Sequence, residues 1–76
     1  MKRDKAYLEH ILEAISDIEL FVKGVKEEEF FENKEKQYAV LRALEVIGEA
    51  TKNLGSELKV GNPEVDWRSI VGMRGN

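Results

Sequence analysis

Cysteine is missing from the 76-residue chain, and histidine and proline each occur once. Without cysteine there can be no disulfide framework and no thiolate metal site. A single histidine added to that excludes a zinc site of ordinary ligand number, and no cofactor is implied. No apolar run approaches the ~20 residues of a membrane span, and the N-terminal "MKRDKAYLEH" has no signal-peptide core. No membrane association is expected, and the expected compartment is the cytoplasm. The alternation and the Asn-Gly or Asp-Gly turns of β-hairpins are also missing. A chain this short buries only about 60% of the surface that its unfolded form exposes. Its stability must therefore come from helix packing, helped by self-association.

Charged residues make up 36% and hydrophobic ones 42%, a globular balance rather than a disordered one. The net charge of −3 argues against a generic nucleic-acid coat protein. It leaves room for a nuclease, whose phosphate contacts can be few and local.

Along "DKAYLEHILEAISDIELFVKG", Tyr7, Leu8, Ile11, Leu12, Ile15, Ile18, Val22 and Val25 recur at the spacing of an amphipathic helix. Asp4 is the expected N-cap, and Gly24 marks an end or a bend. "KEEEFFEN" reads as a short helix with acids in its first turn and Phe30 and Phe31 docking on the core. A second long helix covers "KEKQYAVLRALEVIGEATKNLG", with an apolar arc of Val40, Leu41, Ala43, Leu44, Ile47, Ala50 and Leu54, and with Gly55 as its stop. Glycine inside a helix costs roughly 1 kcal/mol against alanine, so Gly48 points to close approach of another helix. The chain then loosens through "SELKVGNPEVD", which holds Pro63. Asp66 caps a new turn in which Trp67, Ile70 and Val71 face inward. The expected architecture is all-α: an antiparallel up-and-down bundle of two long helices plus short ones, forming one domain over residues 1–76. Leu44, Ile47, Ile70 and the phenylalanines are the apolar surface expected to drive a homodimer.

On the second long helix Arg42, Glu45 and Glu49 share one stripe opposite the apolar arc. The stripe is either a solvated face with a stabilising ion pair or a polar strip lining a cleft between helices or subunits. His10 lies beside the apolar arc of the first helix, one helical stripe from Asp17. A His-Asp pair can serve a general base, but no serine or arginine can be placed against it from sequence, so His10 reads as a surface histidine. Arg68 and Arg74 give the C-terminal stretch a small basic excess near Trp67.

Taken in order, "YLEHILEAI", "QYAVLRALEVIGEATKNL" and "VDWRSIVGMRGN" resemble the HepT family of the HEPN superfamily, small helical prokaryotic toxins. The resemblance runs over nearly the whole chain and is weakest through residues 24–36. In that family an arginine is followed, after four to six residues, by His-X-Tyr. The Gly-Met-Arg context maps the arginine onto Arg74, so the 76 residues end inside the signature and a C-terminal helix is expected beyond them. The family commonly places Asn or Asp directly after the arginine, whereas here Gly75 precedes Asn76. The resemblance implies a metal-independent endoribonuclease and a homodimer with RNA as substrate. It also implies a MntA-like nucleotidyltransferase antitoxin that adenylylates the motif tyrosine. Arg42, Glu45 and Glu49 would support the cleft around Arg74. Two other expectations stand beside this one. The chain could be a non-catalytic helical module for dimerisation or antitoxin binding, or a mononucleotide-binding HEPN domain in which Arg74 holds a phosphate.

Overall fold

The computed structural model describes the backbone of residues 2–74 and the side chains of residues 3–73. The described residues form five α-helices and no strand: α1 (Lys2–Val22), α2 (Glu27–Glu32), α3 (Lys34–Lys52), α4 (Ser56–Val60) and α5 (Trp67–Val71), followed by a 3-10 turn over Gly72–Arg74. The fold is all-α. Two cross-links show that α1 and α3 run antiparallel. Asp4, near the start of α1, accepts a hydrogen bond at 2.9 Å from the backbone N–H of Gly55, just past the end of α3. At the other end, Lys36 Nζ donates to the carbonyl of Phe21 at 3.1 Å.

The α1–α3 contact has a narrow sequence basis. Tyr7, Ile11, Ala14, Ile18 and Phe21 recur at intervals of four and three, and all are buried or half-buried. Ala14, Ala43 and Ile47 form the buried cluster, with Ile11, Ile18, Leu44, Val46 and Ile70 packed around it. Small side chains at the centre let the two backbones approach closely. Thr51 is the most deeply buried side chain, and its hydroxyl is satisfied by donating to the carbonyl of Ile47 at 2.7 Å. Gly48 is buried as well, and α5 and the 3-10 turn pack against α3.

Several local expectations are corrected. Helix α1 starts at Lys2, so Asp4 lies inside its first turn rather than at its N-cap. There the carboxylate complements the helix dipole and also takes the Gly55 N–H, a donor that α4 cannot satisfy for itself. Helix α3 ends at Lys52, three residues before Gly55, and buried Leu54 anchors the turn that follows. The supposedly loose segment after Gly55 contains α4. Phe30 is half-buried, but Phe31 is 68% exposed. Adjacent residues on a helix point about 100° apart, so one short helix cannot dock both. Leu41, assigned to the apolar arc, is 49% exposed. Ile47 is buried, and Leu44 and Ile70 pack against the core, so these residues are not the uncovered apolar surface. Of the expected surface Phe31 remains exposed, and among the described residues it is joined by Leu8, Leu12, Ile15, Leu20 and Val22 on α1, between 40% and 70% exposed, and by Tyr38 and Val60.

Other endings follow local rules. Gly24 adopts a φ of 71°, the left-handed conformation that terminates α1 at no steric cost. Asn33 caps α3 by accepting from the Lys36 N–H at 3.0 Å. Gln37 Nε2 donates to the carbonyls of Phe30 and Phe31, which closes the C-terminus of α2.

Candidate functional site

Antiparallel pairing of α1 and α3 creates an open groove whose walls come from these two helices. One part, of about 510 Å³, is lined by His10, Glu13, Asp17, Phe21 and Arg42 together with small apolar residues. An adjoining part of about 200 Å³ is lined by Tyr7, His10, Arg42, Glu45, Glu49 and Asn53 among others. The structure thus brings the α3 stripe of Arg42, Glu45 and Glu49 alongside the α1 stripe of His10, Glu13 and Asp17. The Tyr7 ring meets the His10 imidazole edge-on, with centroids 6.3 Å apart and planes at 83°.

That His10 and Arg42 line one groove had no signal in the sequence. Thirty-two positions separate them, and their sharing a groove depends on the register of α1 against α3. The electrostatics of the groove limit its chemistry. Four carboxylates, on Glu13, Asp17, Glu45 and Glu49, face one guanidinium and one imidazole. Like charges at this density disfavour a bare phosphate. Among the described residues no group of three His, Cys, Asp or Glu side chains is placed to hold a metal ion. No helix among them is long and apolar enough to cross a membrane.

The second element is the turn that carries Arg74. Asp66 caps α5, accepting from the Ser69 hydroxyl at 2.7 Å and from the Ser69 N–H at 3.2 Å. The hydroxyl bond, then the N–H bond, and the nearby Arg68 charge hold the Asp66 carboxyl below its ordinary range. Trp67 is half-buried, and its indole N–H donates to the carbonyls of Lys59 at 3.2 Å and Asn62 at 3.0 Å. This clasps the end of α4 and the loop of residues 61–66 to the start of α5. Ile70 packs on the core, Gly72 ends the helix, and the 3-10 turn continues against α3. The backbone of Arg74 closes that turn. Its side chain, with Gly75 and Asn76, lies outside the described residues, as does any placement of the Arg74 guanidinium in a cleft.

A family model described as ribonuclease HepT-like matches residues 11–75. The chain belongs to the HepT-like ribonuclease family. It is 49% identical over 75 residues to "Probable ribonuclease HepT" of Thermococcus cleftensis, covering 97% of this chain and 68% of that protein. It is 45% identical over 74 residues to "Putative RNase MJ1380" of Methanocaldococcus jannaschii, covering 96% and 68%. With "Putative RNase TTE0752" of Caldanaerobacter subterraneus it shares 42% identity over 74 residues, covering 97% and 66%. The chain therefore spans about two thirds of the length of these curated relatives. No solved structure matches it. Within the HepT-like chain, Arg42, Glu45, Glu49 and Arg74 all fall inside the matched span, and His10 lies one residue before it.

Proposed function

We propose that the HepT-like chain is the larger part of a metal-independent endoribonuclease, the toxin of a type VII-like toxin–antitoxin pair. The observation that carries this reading is the family match over residues 11–75, which includes Arg74, together with 49% identity to a relative named as a ribonuclease. In this reading Arg74 binds the scissile phosphate. An arginine stays charged at any ordinary pH and can grip two phosphate oxygens at once. An imidazole supplied by sequence beyond Asn76 takes the ribose 2′-hydroxyl proton, a task suited to its reference pKa near 6.5. As that proton leaves, the 2′ oxygen bonds to phosphorus and the bond from phosphorus to the 5′ oxygen breaks, the 5′ oxygen taking a proton from water or from the imidazolium so that a 2′,3′-cyclic phosphate and a 5′-hydroxyl result. The guanidinium stabilises the negative charge that builds on the phosphorane. Arg42, Glu45 and Glu49 support the flank of the cleft, and two copies assemble as a homodimer. A MntA-like nucleotidyltransferase partner silences the site by adenylylating the motif tyrosine, which adds bulk and negative charge where phosphate must bind.

The test is cleavage of a fluorescently labelled RNA by the longer form that carries the extra third found in the relatives. Cleavage should persist in a metal chelator and fall by about 10²–10³ in Arg74→Ala, the cost of removing one preorganised charge donor. Full activity in Arg74→Ala, or loss of activity on chelation, would overturn the assignment.

A further inference from the structure

The negative charge of the molecule is concentrated in the groove between α1 and α3. With His10 neutral, four carboxylates against the Arg42 guanidinium leave the groove at −3, equal to the net charge of the whole 76-residue chain. Glu13 and Asp17 stand one turn apart on α1, and Glu45 and Glu49 one turn apart on α3. Among the described residues no hydrogen bond or ion pair engages the carboxylates of Glu13, Asp17 and Glu45. The floor beneath them is apolar and built of small side chains, Ala14, Ala39, Ala43 and Val46. None of the lining comes from α2, α4, α5 or the 3-10 turn.

We propose that this groove binds a linear polyamine, an aliphatic chain with ammonium groups spaced along it. Its charge calls for a cation, and its geometry selects the kind. Among the described residues no three acidic or histidine side chains converge closely enough to hold a metal ion. The negative charge is strung out rather than focused. His10 and Arg42 line both parts of the groove, with Glu13 and Asp17 in the larger part and Glu45 and Glu49 in the smaller. A cation that satisfies both parts must therefore carry separated charges and pass Arg42 with an uncharged stretch. Residues four apart on a helix are offset by about 6 Å along its axis, about the reach of three or four methylenes between two ammonium groups. Each ammonium brings up to three N–H donors to the carboxylates around it. The methylenes lie on the alanine and valine floor, where leaving water adds to the charge attraction. The parts of about 510 and 200 Å³ are of small-molecule size. A partner helix would need a broad apolar stripe to receive its anchors, and this floor is narrow and rimmed with charge. The inference needs neither Arg74 nor sequence beyond residue 76, so it stands or falls apart from the ribonuclease reading.

Isothermal titration calorimetry of the 76-residue chain with spermidine at low salt tests it. Saturable binding of one spermidine per chain is expected, weakening as salt is added. Asp17→Asn and Glu45→Gln, one from each part of the groove, should each weaken binding about threefold, the yield of a single exposed ion pair. Arg42→Gln should tighten it by a similar factor, because the resident cation no longer competes. These side chains are exposed or half-exposed, so the variants should keep their helical circular dichroism. Glu27→Gln makes the same charge change on α2, outside the groove, and should leave binding unchanged. 1,4-Diaminobutane, with one ammonium group fewer, should bind more weakly than spermidine. An absence of saturable binding would overturn the proposal, as would equal weakening by Glu27→Gln, since the chain would then gather cations only through its net charge. Displacement of spermidine by magnesium ion at matched ionic strength would overturn the extended-cation geometry. Hexalysine binding that depends on Asp17 and Glu45, with no binding of spermidine, would overturn the polyamine in favour of a basic protein segment.

Discussion

Ile47 and Leu41 belong to the same apolar arc of α3 by spacing, yet Ile47 is 8% exposed and Leu41 is 49% exposed. Replacing each by alanine separates packing from pattern. Ile47→Ala removes three carbons from the central cluster with Ala14 and Ala43. At about 0.8 kcal/mol per buried methylene the transfer loss is about 2.4 kcal/mol, and the cavity left behind raises the cost to about 3 kcal/mol. Leu41→Ala loses the same number of carbons from a half-exposed site and leaves no cavity, so its cost should be about 1 kcal/mol or less. The contrast is large for this molecule. At about 0.05–0.15 kcal/mol per residue, a 76-residue domain has only about 4–11 kcal/mol in total. A 3 kcal/mol loss corresponds to a drop in Tm of about 12–24 °C at this size. Urea unfolding followed by far-UV circular dichroism, at one low protein concentration, provides the measurement. Ile47→Val, expected to cost about 1 kcal/mol, supplies a graded point should Ile47→Ala fail to fold. Equal losses at positions 41 and 47, or a loss under about 1 kcal/mol in Ile47→Ala, would refute the placement of the core.

Further outcomes follow from three contacts, Asp4 with Gly55, Thr51 with Ile47 and Asp66 with Ser69. Asp4→Ala should cost about 1–2 kcal/mol by releasing the Gly55 N–H, while Asp4→Asn keeps an acceptor and most of that stability. A β-carbon at Gly55 would meet Asp4 Oδ2 at 3.3 Å, so Gly55→Ala should be better tolerated in the Asp4→Ala background than in the parent, as a double-mutant cycle would show. Thr51→Val should stay within about 1 kcal/mol of the parent, because the hydroxyl bonds only a carbonyl of its own helix; Thr51→Leu should cost about 1–3 kcal/mol by overpacking a site that is 1% exposed, and equal stability of the two would show unfilled space there. Asp66 has a folded pKa below its unfolded value, so its contribution to α5 is present above the ordinary carboxylate range and lost as pH falls through the folded pKa. Asp66→Asn should therefore flatten the acid limb of the stability profile, measured as Tm against pH, and an unchanged limb would contradict the cap.

Much of the helical content was readable along the chain because its determinants are local. The i, i+3, i+4 recurrence in "YLEHILEAI", Gly24 at a left-handed helix end and Asp66 three residues before its Ser69 partner each act within one or two turns. What could not be read was long-range. Asp4 looks like a cap in its own segment, and only the fold offers it Gly55, fifty-one positions away. Helix α4 is a single short turn of weak periodicity, held in place by Trp67 from beyond it. Of the candidate site, the stripe of Arg42, Glu45 and Glu49 was visible as spacing, and Arg74 was visible through its Gly-Met-Arg context. That the stripe shares a groove with His10 was not visible, since it follows from the offset between two helices rather than from either one.

The division has one physical reason. Periodicity and capping chemistry act between residues a few bonds apart, so this chain's own order of side chains settles where the two long helices lie and roughly which side of each is apolar. The wide apolar arc of α1 is equally plain in that order. Which part of that arc meets α3, which part stays open, and which polar side chains come to face one another across the groove depend on how the two long helices set their axes and register. That choice is made by the small residues Ala14, Ala43 and Ala50 and by the cross-links at either end, and it exists only once the helices have packed.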